Sequence, residues 1–188
     1  MNSPLLLWAG KIDLNIIDFI TTSVTPFGVR LSLFLSNLGS PQSFLLLLIA
    51  SAMIFWLFKK PYSLIQFFVT LGAGMLSVYL LKILIARPRP IGALFDIGGY
   101  SFPSGHATIA TIFSALIIFA YKNHIKNIFL RSIFVLVLSI LALAVSFSRV
   151  YLSVHYLSDV VVGILLGLLI SSLSVFIFEN LFKREELI

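Results

Sequence analysis

The chain has 188 residues, 60% of them hydrophobic and only 11% charged, with a mean hydropathy of +1.10. Soluble domains carry about a quarter charged residues, so this composition excludes a soluble globular protein and points to a single integral membrane domain over 1–188. The absence of cysteine excludes disulfides and thiolate chemistry, and the net charge of +6 is dispersed in short clusters at the ends of apolar runs, a membrane-topology pattern and not a nucleic-acid footprint.

In chain order, the N-terminus lacks the positive n-region of a cleavable signal peptide, and Lys11 and Asp13 interrupt the LLLWAG run too early for one. Ile16, Ile17 and Ile20 alternate with polar residues at helical spacing, and Asp13 and Asp18 are placed elsewhere on the wheel. The pattern predicts an amphipathic interfacial helix within an N-terminal segment 1–40, broken at Pro26-Phe27-Gly28. Pro41 opens a first span to about 58, ended by Lys59-Lys60, and Pro61 opens a second to Leu81. Each is near the roughly 20 residues that cross the hydrocarbon. Further spans are expected over about 104–121, 132–148 and 158–178. The fold class is all-α: a polytopic bundle of five to six transmembrane helices, with its core at 41–180.

Two polar islands interrupt these spans. In the first, Lys82 and Arg89 stand seven apart across a helix end, followed by a loop rich in Pro and Gly. Lysine as a point charge and arginine as a fork suit one phosphoryl group, although a pair of snorkelling anchors has the same spacing. The loop closes on Pro103-Ser104-Gly105-His106, where a new helix starts. Backbone N–H groups there favour an anion, Ser104 can cap, and Gly105 permits close approach. In the second island, Arg149 precedes His155 by six residues and Asp159 follows His155 by four. An aspartate at that spacing can hold one imidazole nitrogen and leave the other as base or nucleophile. Arg87 falls outside these positions and reads as a surface cation; Asp96 and Tyr100 read as loop residues, and His124 as incidental.

In this order and spacing, Lys82 with Arg89-Pro90, Pro103-Ser104-Gly105-His106, and Ser148-Arg149 with His155 and Asp159 resemble the three-part signature of the type-2 phosphatidic acid phosphatase superfamily, over about residues 40–180. The resemblance implies a lipid phosphatase. His155 would attack phosphorus and form a phosphohistidine, His106 would protonate the leaving oxygen, and Asp159 would orient the nucleophile. Lys82, Arg89, Arg149, the Ser104 hydroxyl and the Gly105 N–H would hold the phosphoryl oxygens, with no metal and no cofactor. The partners implied are the bilayer and a membrane lipid phosphate or diphosphate. Undecaprenyl diphosphate stands first among these, then phosphatidylglycerophosphate or phosphatidic acid, then lipid A.

Lys59, Lys60, Lys122, Lys126, Arg131, Lys183 and Arg184 gather on one side. The positive-inside rule makes that side cytoplasmic. Both islands then face the extracytoplasmic side of a bacterial cytoplasmic membrane. An anion or lipid transporter is the rival class; it predicts polar positions through the whole bundle and inverted repeats, and neither is visible.

Overall fold

A computed structural model describes residues 4–39, 46, 49–53, 57, 61–95 and 97–182. Helix α1 covers Pro4–Thr22 and α2 covers Pro26–Leu38. Helix α3 covers Pro61–Ile85, and α4 covers Gly105–Tyr121 with a single 3-10 turn, Lys122–His124, after it. Helices α5, Ile128–Tyr151, and α6, Leu157–Phe182, follow. Among the described residues, four stretches are long and apolar enough to cross a membrane: Tyr62–Ile85, Gly105–His124, Ile128–Tyr151 and Leu157–Leu181. The span expected over 41–58 lies largely outside the described residues, of which 46, 49–53 and 57 are helical.

Local chemistry sets the boundaries. Pro26 sits in the first turn of α2, and the Thr25 hydroxyl before it accepts from Gly28 N at 3.1 Å. Asn127 Oδ1 accepts from Leu130 N at 3.1 Å, so α5 begins at Ile128, four residues ahead of the expected start. Helices α3 and α5 also run beyond their expected ends. Their last turns therefore hold Lys82 and Arg149, where a cation complements the terminal carbonyls.

Helix α4 is central, packing against α3, α5 and α6. Its contact with α6 is backbone-close. A Cβ on Gly163 would lie 2.7 Å from Ser104 O, and one on Gly167 would lie 2.8 Å from Thr108 O. The step of four on each helix means that α4 and α6 run parallel, locked one turn at a time by glycines. At one end Phe67, Leu71, Ile112 and Leu116 form a core between α3 and α4. At the other, Ile20 of α1 joins Ala107, Val150 and Val160, which seats α1 on the bundle. At the level of the first core, Thr70 and Ser174 share a hydrogen bond of 2.5 Å between α3 and α6. Outward-facing Met75, Leu76, Leu80, Leu136, Leu165 and Leu169 are exposed, as lipid contact requires.

Helix α1 forms as expected, and Ile17 and Ile20 are buried on one face while Asp18 is exposed. Asp13 departs from the expected wheel. It is 1% exposed and faces inward. It precedes Ile17 by one helical turn and so belongs to the same stripe.

Candidate active site

The two polar islands meet at one end of the bundle, because α4 and α5 form a two-helix excursion that returns the chain to its starting face. Leu94 N donates to Leu152 O at 3.2 Å, and Arg89 Nη1 donates to Val154 O at 2.8 Å.

The first island is shaped by its own carbonyls. Arg89 Nε donates to Gly99 O at 3.1 Å and Nη2 to Gly98 O at 3.2 Å, while Lys82 Nζ donates to Tyr100 O at 2.5 Å. Gly99 has φ +77, a left-handed conformation that favours glycine, so the loop can turn its carbonyls toward both cations. Ser101 N donates to Arg87 O at 2.9 Å and closes the loop's neck. Asp96 lies outside the described residues. Ser104 is fully buried and caps α4, accepting from Ala107 N at 3.5 Å; Ser104 N donates to Asp159 O at 3.0 Å and ties the start of α4 to the start of α6. A Cβ on Gly105 would meet only an ordinary 3.5 Å contact with Val78, so packing within the chain does not demand glycine there.

In the second island the chain curls around the Arg149 carbonyl, which accepts from both Val154 N and His155 N at 3.2 Å. Ser153 takes φ +53 to make this turn. His155 is 3% exposed. Its Nε2 lies 3.4 Å from Arg89 Nη1 and its Nδ1 lies 3.6 Å from Asp159 Oδ2. The latter distance is longer than a hydrogen bond, and among the described residues Nδ1 has no hydrogen-bond partner. Burial pushes the His155 pKa down to about 4; the Asp159 carboxylate opposes that shift, and Arg89 and Lys82 add to it. Asp159 is the third residue of α6 and reaches back to accept from Tyr156 N at 2.9 Å, half of a capping box. His106, on the first turn of α4, lies within electrostatic reach of Arg149, His155, Arg89 and Lys82. All eight expected site residues therefore come together.

Three features of the site were not expected. Arg87 is no surface cation. Its Nη2 donates to Asp13 Oδ2 at 2.8 Å and its Nη1 to Asp159 Oδ1 at 2.6 Å, with its guanidinium 4.0 Å from the centre of the Tyr156 ring. Burial opposes its charge, but the two carboxylates outweigh burial and raise its pKa. Both of its amino nitrogens are thereby engaged within the chain, Nη1 also donating to Ser158 Oγ at 2.7 Å. Helix α2 also reaches the site: Ser36 Oγ accepts from Arg149 Nη1, and a Cβ on Gly39 would lie 2.6 Å from His106 Cδ2. Asp13 is the third. Its spacing to Ile17 and Ile20 was the sequence signal for it. Ser36, one of two buried serines in α2, carried none. His124 lies in the turn after α4, with its ring 6.1 Å from that of Tyr121 and far along the bundle from these groups.

Residues 63–183 match the PAP2 superfamily. Phosphatidylglycerophosphatase B of Bacillus subtilis (strain 168) is 30% identical over 138 residues, 72% of this chain and 68% of that protein. Dolichyldiphosphatase of Saccharomyces cerevisiae is 34% identical over 156 residues, 77% of this chain and 64% of the yeast protein's length. The crystal structure of the transmembrane PAP2-type phosphatidylglycerolphosphate phosphatase from Bacillus subtilis superposes with a TM-score of 0.83 at 26% identity, covering 96% of this chain and 89% of that one. Aquifex aeolicus LpxE shares the fold, with a TM-score of 0.70 at 23% identity over 86% of this chain and 93% of that one. The chain belongs to the PAP2 superfamily. It is accordingly a membrane-embedded hydrolase of the lipid phosphatase class.

Proposed function

We propose that this protein removes a terminal phosphate from a membrane lipid by transferring it to His155, without a metal, and that undecaprenyl diphosphate is its leading substrate. The observation that carries the mechanism is the split environment of the His155 ring, with Asp159 facing Nδ1 and a cation facing Nε2. An aspartate on the Nδ1 side favours the tautomer protonated there and leaves the Nε2 lone pair directed at the cationic pocket. A small ring rotation as substrate docks would shorten the 3.6 Å contact to a hydrogen bond.

In the first step Nε2 attacks phosphorus, a P–N bond forms, and the P–O bond to the lipid breaks as His106 gives its proton to the leaving oxygen. In the second, water attacks the phosphorus of the phosphohistidine, the P–N bond breaks and returns its electron pair to Nε2, and His106 takes the proton of the attacking water, releasing inorganic phosphate. Lys82, Arg89 and Arg149, with the Ser104 hydroxyl and the Gly105 N–H, meet the charge on the non-bridging oxygens; preorganised donors of this kind supply most of what phosphoryl transfer needs. Arg89 is held by three backbone carbonyls and can exchange one of them for phosphate without losing its place.

The yeast relative is named for dolichyl diphosphate, a polyprenyl diphosphate like the undecaprenyl lipid, which supports the first choice. The Bacillus relative is named for phosphatidylglycerophosphate, and this supports a second reading. The basic turn containing Lys122, Lys126 and Arg131 lies at the opposite end of the bundle from the site. By the positive-inside rule this supports a site facing away from the cytoplasm of a bacterial inner membrane.

Phosphate release by the detergent-purified protein, with chelator present, tests the proposal on undecaprenyl diphosphate, phosphatidylglycerophosphate and phosphatidic acid. Release from undecaprenyl diphosphate at the highest kcat/KM is expected. A preference for phosphatidylglycerophosphate would install the second reading, and a strict need for a divalent ion would overturn the metal-free mechanism.

The acid limb of kcat/KM supplies a separate check. Protonation of His155 removes the attacking lone pair, and its pKa lies below the ordinary histidine value. Activity should therefore persist as the pH falls through about 6.5 and fail only as it approaches about 4. A limb centred near 6.5 would contradict the buried, neutral ring.

A further inference from the structure

We propose that Asp13, on a helix with no signature residue, is a positioning residue for the reaction: through Arg87 it sets the Asp159 carboxylate that faces His155. The inference rests on the reading of His155 as nucleophile given above.

Four groups stand in a row. Asp13 Oδ2 accepts from Arg87 Nη2 at 2.8 Å, and Arg87 Nη1 donates to Asp159 Oδ1 at 2.6 Å. The remaining oxygen, Asp159 Oδ2, faces His155 Nδ1 and accepts from Tyr156 N. The side chains of Asp13 and Asp159 are 2% and 0% exposed and that of Arg87 is 25% exposed, so solvent does little to replace a lost partner.

The division of the guanidinium is what matters chemically. An arginine beside a single carboxylate tends to take both of its oxygens in a two-pronged pair. Here Asp13 engages one arm, so Arg87 holds only Oδ1 of Asp159 and leaves Oδ2 for the imidazole. Asp13 also accepts from Ser158 N at 2.9 Å and from Ser158 Oγ at 2.5 Å, closing an open N–H in the first turn of α6 immediately beside Asp159. Ile20, packed with Ala107, Val150 and Val160, anchors α1 in the register this needs. In Asp13→Asn the carboxylate that holds the second arm is gone, so Arg87 turns fully onto Asp159 and draws Oδ2 off the ring. Phosphate binding should hold, because Arg89 is fixed by the carbonyls of Gly98, Gly99 and Val154, and neither Lys82 nor Arg149 is hydrogen-bonded to Asp13, Arg87 or Asp159.

The test is steady-state kinetics of the full chain in detergent, with radiolabelled undecaprenyl diphosphate and phosphatidylglycerophosphate as probes. Asp13→Asn is expected to lower kcat about 10- to 100-fold, the usual scale for removing outer support from an oriented imidazole. KM should change by less than about threefold, since no ground-state contact to substrate is lost. In an Asp159→Asn background the same substitution should cost nothing further, because the carboxylate it acts through is gone. A wild-type kcat for Asp13→Asn overturns the proposal, and so does an equal loss on both backgrounds, which is the signature of a helix clip and nothing more. If Asp13→Asn does not purify folded, Arg87→Lys decides: an ammonium lacks the planar fork that holds the two carboxylates on separate nitrogens, so kcat should fall with KM kept, and wild-type kcat overturns the proposal. Activity surviving in His155→Ala would instead remove the nucleophile reading beneath it, an outcome distinguishable from all of these.

Discussion

His155→Ala is expected to abolish phosphate release, lowering kcat by about 10⁴-fold or more, as loss of a covalent nucleophile does. The folded protein should survive the change. The imidazole is buried, with no hydrogen bond to Nδ1 among the described residues, so its removal takes away a polar group whose burial is poorly compensated. Arg89 loses a 3.4 Å neighbour but keeps Val154 O, Gly98 O and Gly99 O. Lipid binding should therefore persist, measured as protection of the purified variant against heat by added substrate. Turnover within about tenfold of wild type would reassign the nucleophile, because no role in orientation alone accounts for retained activity at the attacking atom.

The residues proposed to meet the phosphate were legible in the sequence because each stands at a junction between a membrane-length run and a polar island. Their spacing reports a local structure: the step from Arg149 to His155 is one turn of chain wrapped around the Arg149 carbonyl, and the step from His155 to Asp159 is the start of α6. The supports behind them were less legible, for two different reasons. Arg87 occupies a helix end, where an arginine with no role beyond anchoring is common, and its partner Asp13 lies 74 residues earlier. Separation of that kind is invisible to periodicity. Asp13 itself was readable, since a carboxylate on the Ile17 and Ile20 stripe of a membrane helix needs a partner. Ser36 was not: Ser32 precedes it by one turn and is equally buried, and nothing in the sequence distinguishes the serine that meets Arg149. Gly163 and Gly167 stand between these cases. Their four-residue spacing marks a close helix contact, but only the three-dimensional arrangement says that the contact sets Ser104 and Asp159 side by side.

Asp159→Asn is expected to lower kcat about 10³-fold while leaving KM nearly unchanged, by the same logic that makes the aspartate of a Ser-His-Asp triad indispensable without touching substrate. The side chain is fully buried and does three things at once: Oδ1 receives Arg87, and Oδ2 receives Tyr156 N and faces Nδ1 of His155. An amide can keep its oxygen on Arg87 or on Tyr156 N, but its NH2 group then points at a neighbour that is itself a donor. If the oxygen stays with Arg87, the NH2 faces His155 and favours the ring tautomer protonated on Nε2, with no lone pair left to attack phosphorus. If the amide flips, the NH2 opposes the Arg87 guanidinium and the pair that joins α6 to the first island is broken. Either way the nucleophile is lost or misplaced while Lys82, Arg89 and Arg149 remain, so binding should hold and transfer should fail. Rapid-quench measurement of the phosphoenzyme separates this from a defect in its hydrolysis: the burst of phosphorylated protein should vanish in Asp159→Asn. A full burst followed by slow release would place Asp159 in the second step and not in the first.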